Sequence, residues 1–168
     1  MKNAFRVVRR KIPYIFLLLG IWIIVIMFIA GGVYSSESVI NPNDPSKMYY
    51  FTVFQAMFGK SLVYSGTTKV FFKFNPLAIM ILPLLIVGLL LPTFNRIHYR
   101  IRYLIAGALL LISGILLFTI PATVQLGNGW INPEQVTIRM GAPLIIAAIF
   151  TNLFAIINIV IAIAREPK

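Results

Sequence analysis

Four apolar runs without a charged residue divide the chain, at roughly Pro13 to Val33, Pro76 to Thr93, Tyr103 to Ala122 and Met140 to Ala164. Crossing a hydrocarbon core takes about 20 helical residues, with a range near 17–25. Each run therefore predicts a membrane-spanning helix. The second is the shortest and carries Pro83 inside and Pro92 near its end, which predicts a kink. Between the runs lie three polar connections, 34–75, 94–102 and 123–139.

The fourth run has an internal pattern. Read by sevens it gives Gly141, Ala148, Ala155 and Ala162, and three residues later each time Leu144, Thr151, Asn158 and Arg165. That is a heptad seam of small and polar residues. The opposite face, Ile146, Ile149, Phe150, Leu153, Ile157, Val160 and Ile161, suits lipid tails. In the third run Gly107 and Gly114 are also seven apart, with Ser113 adjoining. Small residues let helix backbones approach closely, and in lipid such packing drives association. The third and fourth runs are therefore expected to pair left-handedly. Thr151 and Asn158 would hydrogen-bond across the contact, at about 0.6–2 kcal/mol each. Whether the fourth run's seam meets its own chain or a partner stays open. The alternative is a polar pathway along Asn152 and Asn158. No run holds an ionisable residue in its interior, and ion and proton pathways usually depend on one.

The long connection 34–75 has structure of its own by this reading, since bare loops of that length are rare in compact proteins. Asp44-Pro45 reads as a helix start and Gly59 as its stop. Between them Tyr49, Tyr50, Phe54 and Phe58 offer an aromatic interaction surface, joined by Trp130 of the second outer connection. SLVYSGTTKVFFKF predicts a β-hairpin about Ser65-Gly66, with Val70, Phe72 and Phe74 on one face. An irregular loop is the alternative. Asn75-Pro76 and Asn132-Pro133 read as helix caps, the latter with Gln135 as a capping-box pair.

Composition agrees with the pattern. The 168 residues are 60% hydrophobic and 11% charged, where soluble domains carry roughly 45–50% and about 25%. The net charge of +11 would suggest nucleic acid in a soluble chain. Here its placement points to the membrane instead, and no nucleic-acid partner is expected. Lys2, Arg6, Arg9, Arg10, Lys11, Arg96, Arg100, Arg102, Arg165 and Lys168 fall on one side of the spans. Lys47, Lys60, Lys69, Lys73 and Arg139 fall on the other, with Glu37, Asp44 and Glu134. This asymmetry predicts a multi-pass protein of the cell membrane with both termini cytoplasmic. Arg6, Arg9, Arg10, Lys11, Arg96, Arg100 and Arg102 are then candidates to contact anionic headgroups or an acidic partner. The first run is longer than the 7–15 residues of a signal-peptide core, so it is expected to stay as a signal anchor.

Catalytic chemistry has little to work with. There is no Cys and one His, His98, which excludes thiolate sites and multi-His metal sites. Glu37, Asp44 and Glu134 are not paired in sequence, and no phosphate loop or serine elbow occurs. Neither an enzyme nor a cofactor is expected.

FQAMFG in the outer loop, FNPLAIMILPLL entering the second span and the notched later spans resemble a loose group of small four-span membrane proteins. These come from Gram-positive and wall-less bacteria, and the resemblance implies no activity. The layout is also similar to that of claudins, but this chain lacks the paired cysteines and Gly-Leu-Trp run of their first loop. The expected fold is an all-α membrane protein, a four-transmembrane-helix bundle with a small extracytoplasmic helix-plus-β-hairpin element. Its expected function is that of a non-enzymatic accessory, scaffold or assembly subunit in a larger membrane complex. An oligomeric pore or carrier for a small solute or lipid is the alternative.

Overall fold

The computed structural model describes residues 2–35, 50–64, 67–94, 96–127 and 138–164, and the side chains of these apart from residues 2–10 and 61–71. The chain is mainly helical. Its elements are α1 (Lys2–Ile26), β1 (Val33–Ser35), β2 (Tyr50–Phe51), α2 (Val53–Phe58), β3 (Lys60–Tyr64), β4 (Thr67–Phe72), α3 (Pro76–Ile79), α4 (Ile81–Leu90) with a 3-10 turn at Leu91–Thr93, α5 (Tyr99–Gly127), β5 (Ile138–Met140) and α6 (Ala142–Ile163). Among the described residues, three helical stretches are long and apolar enough to cross a membrane: Pro76–Thr93, Tyr99–Gly127 and Ala142–Ile163. The apolar part of α1, Lys11–Ile26, is shorter.

The first span was expected to reach Val33, yet α1 stops at Ile26. The backbone beyond is engaged elsewhere. The Val53 N–H donates to the Met27 carbonyl (3.1 Å), and the Gly31 N–H donates to the Phe51 carbonyl (3.2 Å). Gly31 has φ 91°, a left-handed conformation that glycine adopts without steric cost. The chain turns there and enters β1.

The stretch Pro76–Thr93 has the expected bounds but is interrupted at Met80. Pro83 has no N–H to return to the Ile79 carbonyl, and the helix resumes with the Leu84 N–H on the Met80 carbonyl (3.3 Å). The helix starts at Asn75, as its sequence suggests. The Asn75 Oδ1 accepts from the Ala78 N–H (3.2 Å), and its Nδ2 donates to Thr123 Oγ1 on α5 (2.8 Å). Asn75→Ala is expected to lower stability by about 2 kcal/mol, since a cap and a buried polar contact are lost together. Asn75→Asp keeps the acceptor and should recover roughly half of that cap term. Thermal unfolding in detergent measures both.

α5 is longer than the expected span. It begins at Tyr99, so the connection after the second span is shorter than 94–102 and Arg102 lies within the helix. It continues to Gly127, past the expected end at Ala122. Its 29 residues extend about 43 Å, more than a ~30 Å hydrocarbon core requires.

At the other end of the bundle two small sheets form a cap. β3 and β4 make the expected antiparallel hairpin, from Lys60↔Phe72 to Tyr64↔Thr67; its Ser65-Gly66 turn lies outside the described residues. β4 ends at Phe72, so Phe74 does not share its face: Phe72 is buried and Phe74 is 63% exposed. Beside the expected helices and hairpin stands a second sheet that the sequence reading did not include, in the order β2-β1-β5, all antiparallel. It ties the exit of α1 to the entry of α6. The expected helix from Asp44-Pro45 to Gly59 is also revised. Asp44 lies outside the described residues, and Tyr50–Phe51 is strand. α2 starts at Thr52, whose Oγ1 accepts from the Gln55 N–H (3.0 Å) while Gln55 Oε1 accepts from the Thr52 N–H (3.1 Å). This reciprocal pair satisfies two helix-end donors. Gly59 is the stop, with φ 91°.

α1, α4, α5 and α6 pack in a ring, each against the next and α6 against α1. One contiguous apolar cluster fills it, including Ile23, Met27, Leu85, Leu110, Leu117, Ala148 and Ala155, and extends into the cap through Val33, Phe51, Val53 and Met57.

Candidate functional site

The seam of α6 faces α5, in the most extensive helix contact of the structure. Ala148, Thr151, Ala155, Asn158 and Ala162 are all buried, together with Leu144, Ala147 and Phe154. Gly107 lies against the turn from Ala155 to Ile159. A Cβ there would come 3.0 Å from the Ala155 carbonyl oxygen and 2.6 Å from Ile159 Cγ1. Gly114 receives the Asn152 amide, 2.6 Å from that Cγ to the same notional Cβ. The two glycines seven apart thus seat two side chains seven apart, as antiparallel knobs-into-holes packing requires. Ile159 and Asn152 are not in the sevenfold set but flank it, and its members Ala148, Thr151, Ala155, Asn158 and Ala162 are buried within the same chain.

Gly141 has a different role from the one expected. It is the N-cap of α6, not a seam position. A Cβ on it would overlap the Gly31 carbonyl, and its N–H donates to the Gly32 carbonyl (2.9 Å). It is where two backbones cross. Gly32 in turn is pressed against Val53, its notional Cβ 3.0 Å from the Val53 nitrogen.

The polar seam residues bond differently from expectation too. Thr151 Oγ1 donates to the Ala147 carbonyl (2.7 Å), Asn152 Nδ2 to Ala148 (2.8 Å) and Asn158 Nδ2 to Phe154 (2.8 Å). Each returns to the carbonyl four residues earlier on its own helix, a local partner such side chains reach easily. None of these three bonds crosses to α5, so along the seam itself the two helices meet by packing. Asn158 Oδ1 is buried without a partner among the described residues. Ser113 turns away from α6 and donates to the Ile81 carbonyl of α4 (3.3 Å).

Two glycines belong to the same scheme and were not singled out in the sequence. Gly20 of α1 receives Leu89, and Gly88 of α4 receives Leu110, with their notional Cβ atoms 2.9 Å from Leu89 Cγ and 2.8 Å from Leu110 Cγ. A lone glycine inside an apolar helix was the available signal, since it costs helix stability unless something packs into it.

The basic residues divide. Lys11, Arg96 and Arg100 are exposed, and the side chains of Arg6, Arg9 and Arg10 lie outside the described residues. Arg102 is half-buried. Its Nη1 donates to the Phe94 carbonyl (3.0 Å), and its guanidinium lies over the rings of Tyr103 (5.4 Å) and Tyr99 (5.9 Å). The Tyr99 hydroxyl donates to the Ile161 carbonyl near the end of α6 (3.0 Å). Arg102 therefore fastens this end of the bundle as well as adding charge to it.

On the cap, Phe28 stacks on Phe54 (3.8 Å between centroids), and Phe54 stacks on Phe58 (5.9 Å). Phe28 and Phe58 are exposed. Phe28 was missed because it was counted within the first span. Tyr50 lies beside Tyr34 across the β1–β2 pairing. Tyr49 and Trp130 lie outside the described residues, as do Asn132, Gln135, Glu37, Asp44 and Glu134. His98 is exposed. No family model matches this chain, and no curated protein or solved structure matches it either.

Proposed function

We propose that the chain is a non-enzymatic, multi-pass protein of the cell membrane with four spans and both termini cytoplasmic, acting as an accessory, scaffold or assembly subunit. The observation that carries this reading is the contrast between a closed apolar interior and an apolar exterior. Tyr14, Leu18, Trp22 and Val25 of α1, Ile112 and Ile115 of α5 and Ile149, Leu153, Ile156 and Val160 of α6 are all exposed. Surface this apolar belongs against lipid or another protein. The small residues of α6 are engaged with α5, so lateral packing through the fourth span uses the opposite face, around Ile149, Leu153 and Ile156. Exposed Lys11, Arg96 and Arg100 support attachment to anionic headgroups on the cytoplasmic side, at about 1 kcal/mol each.

Gentle extraction from the native membrane, followed by mass measurement of the intact complex, tests the proposal. Co-purification with a larger membrane protein at a fixed ratio is the expected outcome. A lone monomer contradicts the subunit role, and a closed homo-oligomer turns the reading to a pore between copies.

A further inference from the structure

The three-stranded sheet of the cap has two unlike faces. Register places Val33 opposite Phe51 and Met140, and Tyr34 opposite Tyr50 and Arg139. Alternate residues of a strand point to opposite faces. Val33 and Phe51 are buried in the core and Met140 is half-buried, whereas Tyr50 is 59% exposed, Tyr34 half-buried and Arg139 exposed. The outward face thus carries a row of two phenols and a guanidinium, one from each strand. The tyrosine rings lie 5.9 Å apart. The Tyr50 ring passes over Gly31, whose notional Cβ would be 3.7 Å from Tyr50 Cδ1.

We propose that this row holds the phosphate of an outer-leaflet phospholipid. The inference rests on the membrane reading above and names a ligand for its outer edge. Depth is the first argument. α6 has 22 residues, about 33 Å, which spans a ~30 Å core from its first turn. Arg139 precedes that turn by three residues of extended chain, about 10 Å at most, and the headgroup layer beyond the core is about 5–8 Å deep on each side. The row therefore stands at phosphate level. Chemistry is the second argument. Guanidinium binds phosphate through paired N–H donors, and tyrosine is enriched at this boundary because its ring is apolar and its hydroxyl polar. Continuity is the third. Exposed Phe28 and Phe58 extend the lipid-facing surface of the spans onto the cap.

The test uses the full chain, purified in detergent, with phosphatidylglycerol and the phosphate-free lipid digalactosyldiacylglycerol titrated separately and retention read by native mass spectrometry. Arg139→Gln is expected to weaken phosphatidylglycerol binding about tenfold, as for loss of a hydrogen bond to a charged group, and to leave the galactolipid unchanged. Unchanged phosphatidylglycerol binding, or equal loss for both lipids, overturns the proposal. A second reading comes from Tyr50→Trp in a Trp22→Phe, Trp130→Phe background, reconstituted in phosphatidylglycerol vesicles. Its fluorescence should be quenched by headgroup-attached nitroxide more than by mid-chain nitroxide or aqueous iodide. Dominant quenching by iodide, with the protein still resistant to alkaline carbonate extraction, overturns this inference and leaves the membrane reading standing. Release by carbonate removes both.

Discussion

Gly141→Ala should destabilise the protein by about 3 kcal/mol or more, the upper range for forcing atoms into a packed interior. The added methyl overlaps the Gly31 carbonyl, and Gly31 and Gly32 are themselves held by bonds to Phe51 and Gly141. A flexible side chain can move aside, whereas a hydrogen-bonded backbone crossing resists it. The effect should reach both ends of the crossing, separating the entry of α6 from the exit of α1 and breaking the β1–β5 pairing. Gly127→Ala is the control. Among the described residues nothing lies within 4 Å of a Cβ there, so stability should stay within about 1 kcal/mol of the native chain. Reversible unfolding in detergent compares the two. Equal stabilities would show that the crossing is not tight.

The second large effect is expected at Gly107→Leu, which drives a branched side chain into the Ala155 carbonyl and Ile159. Separation of α5 from α6 should lower stability by about 2–3 kcal/mol. Thr151→Val distinguishes packing from hydrogen bonding in this seam. It keeps the shape and removes a bond that is local to α6, and interhelical polar contacts in membranes average only about 0.6 kcal/mol in any case. A change below about 1 kcal/mol is expected. If Thr151→Val proved as damaging as Gly107→Leu, the polar side chains and not the glycines would join the helices.

The sequence is informative wherever one periodicity runs long enough. Four apolar runs mark the helices of the ring, and the bounds 76–93 match the structure because Asn75-Pro76 and Pro92 punctuate both ends. The sevenfold positions of α6 are buried, Gly107 and Gly114 of α5 lie against that helix, and the hairpin is where the β-branched residues place it. The misreadings share a cause. β1, β2 and β5 have three, two and three residues, too short to show alternation, and their pairing is set by contacts remote in sequence. Gly141 fits the heptad by spacing but is small because another backbone passes it. Thr151 and Asn158 bond to carbonyls of their own helix, and sequence spacing does not distinguish a local acceptor from one on a neighbouring helix.

α6 packs against α5 of its own chain, with Asn152 and Ile159 seated on Gly114 and Gly107. Gly114→Cys with Asn152→Cys tests this packing, in a protein that has no other cysteine. The Asn152 side chain meets Gly114 directly, which brings the two thiols within disulfide reach. Mild oxidation in native membranes should give a fast-migrating, internally cross-linked monomer and no dimer on a non-reducing gel. A cross-linked dimer as the main product, with little internal disulfide, would mean that the seam joins two copies.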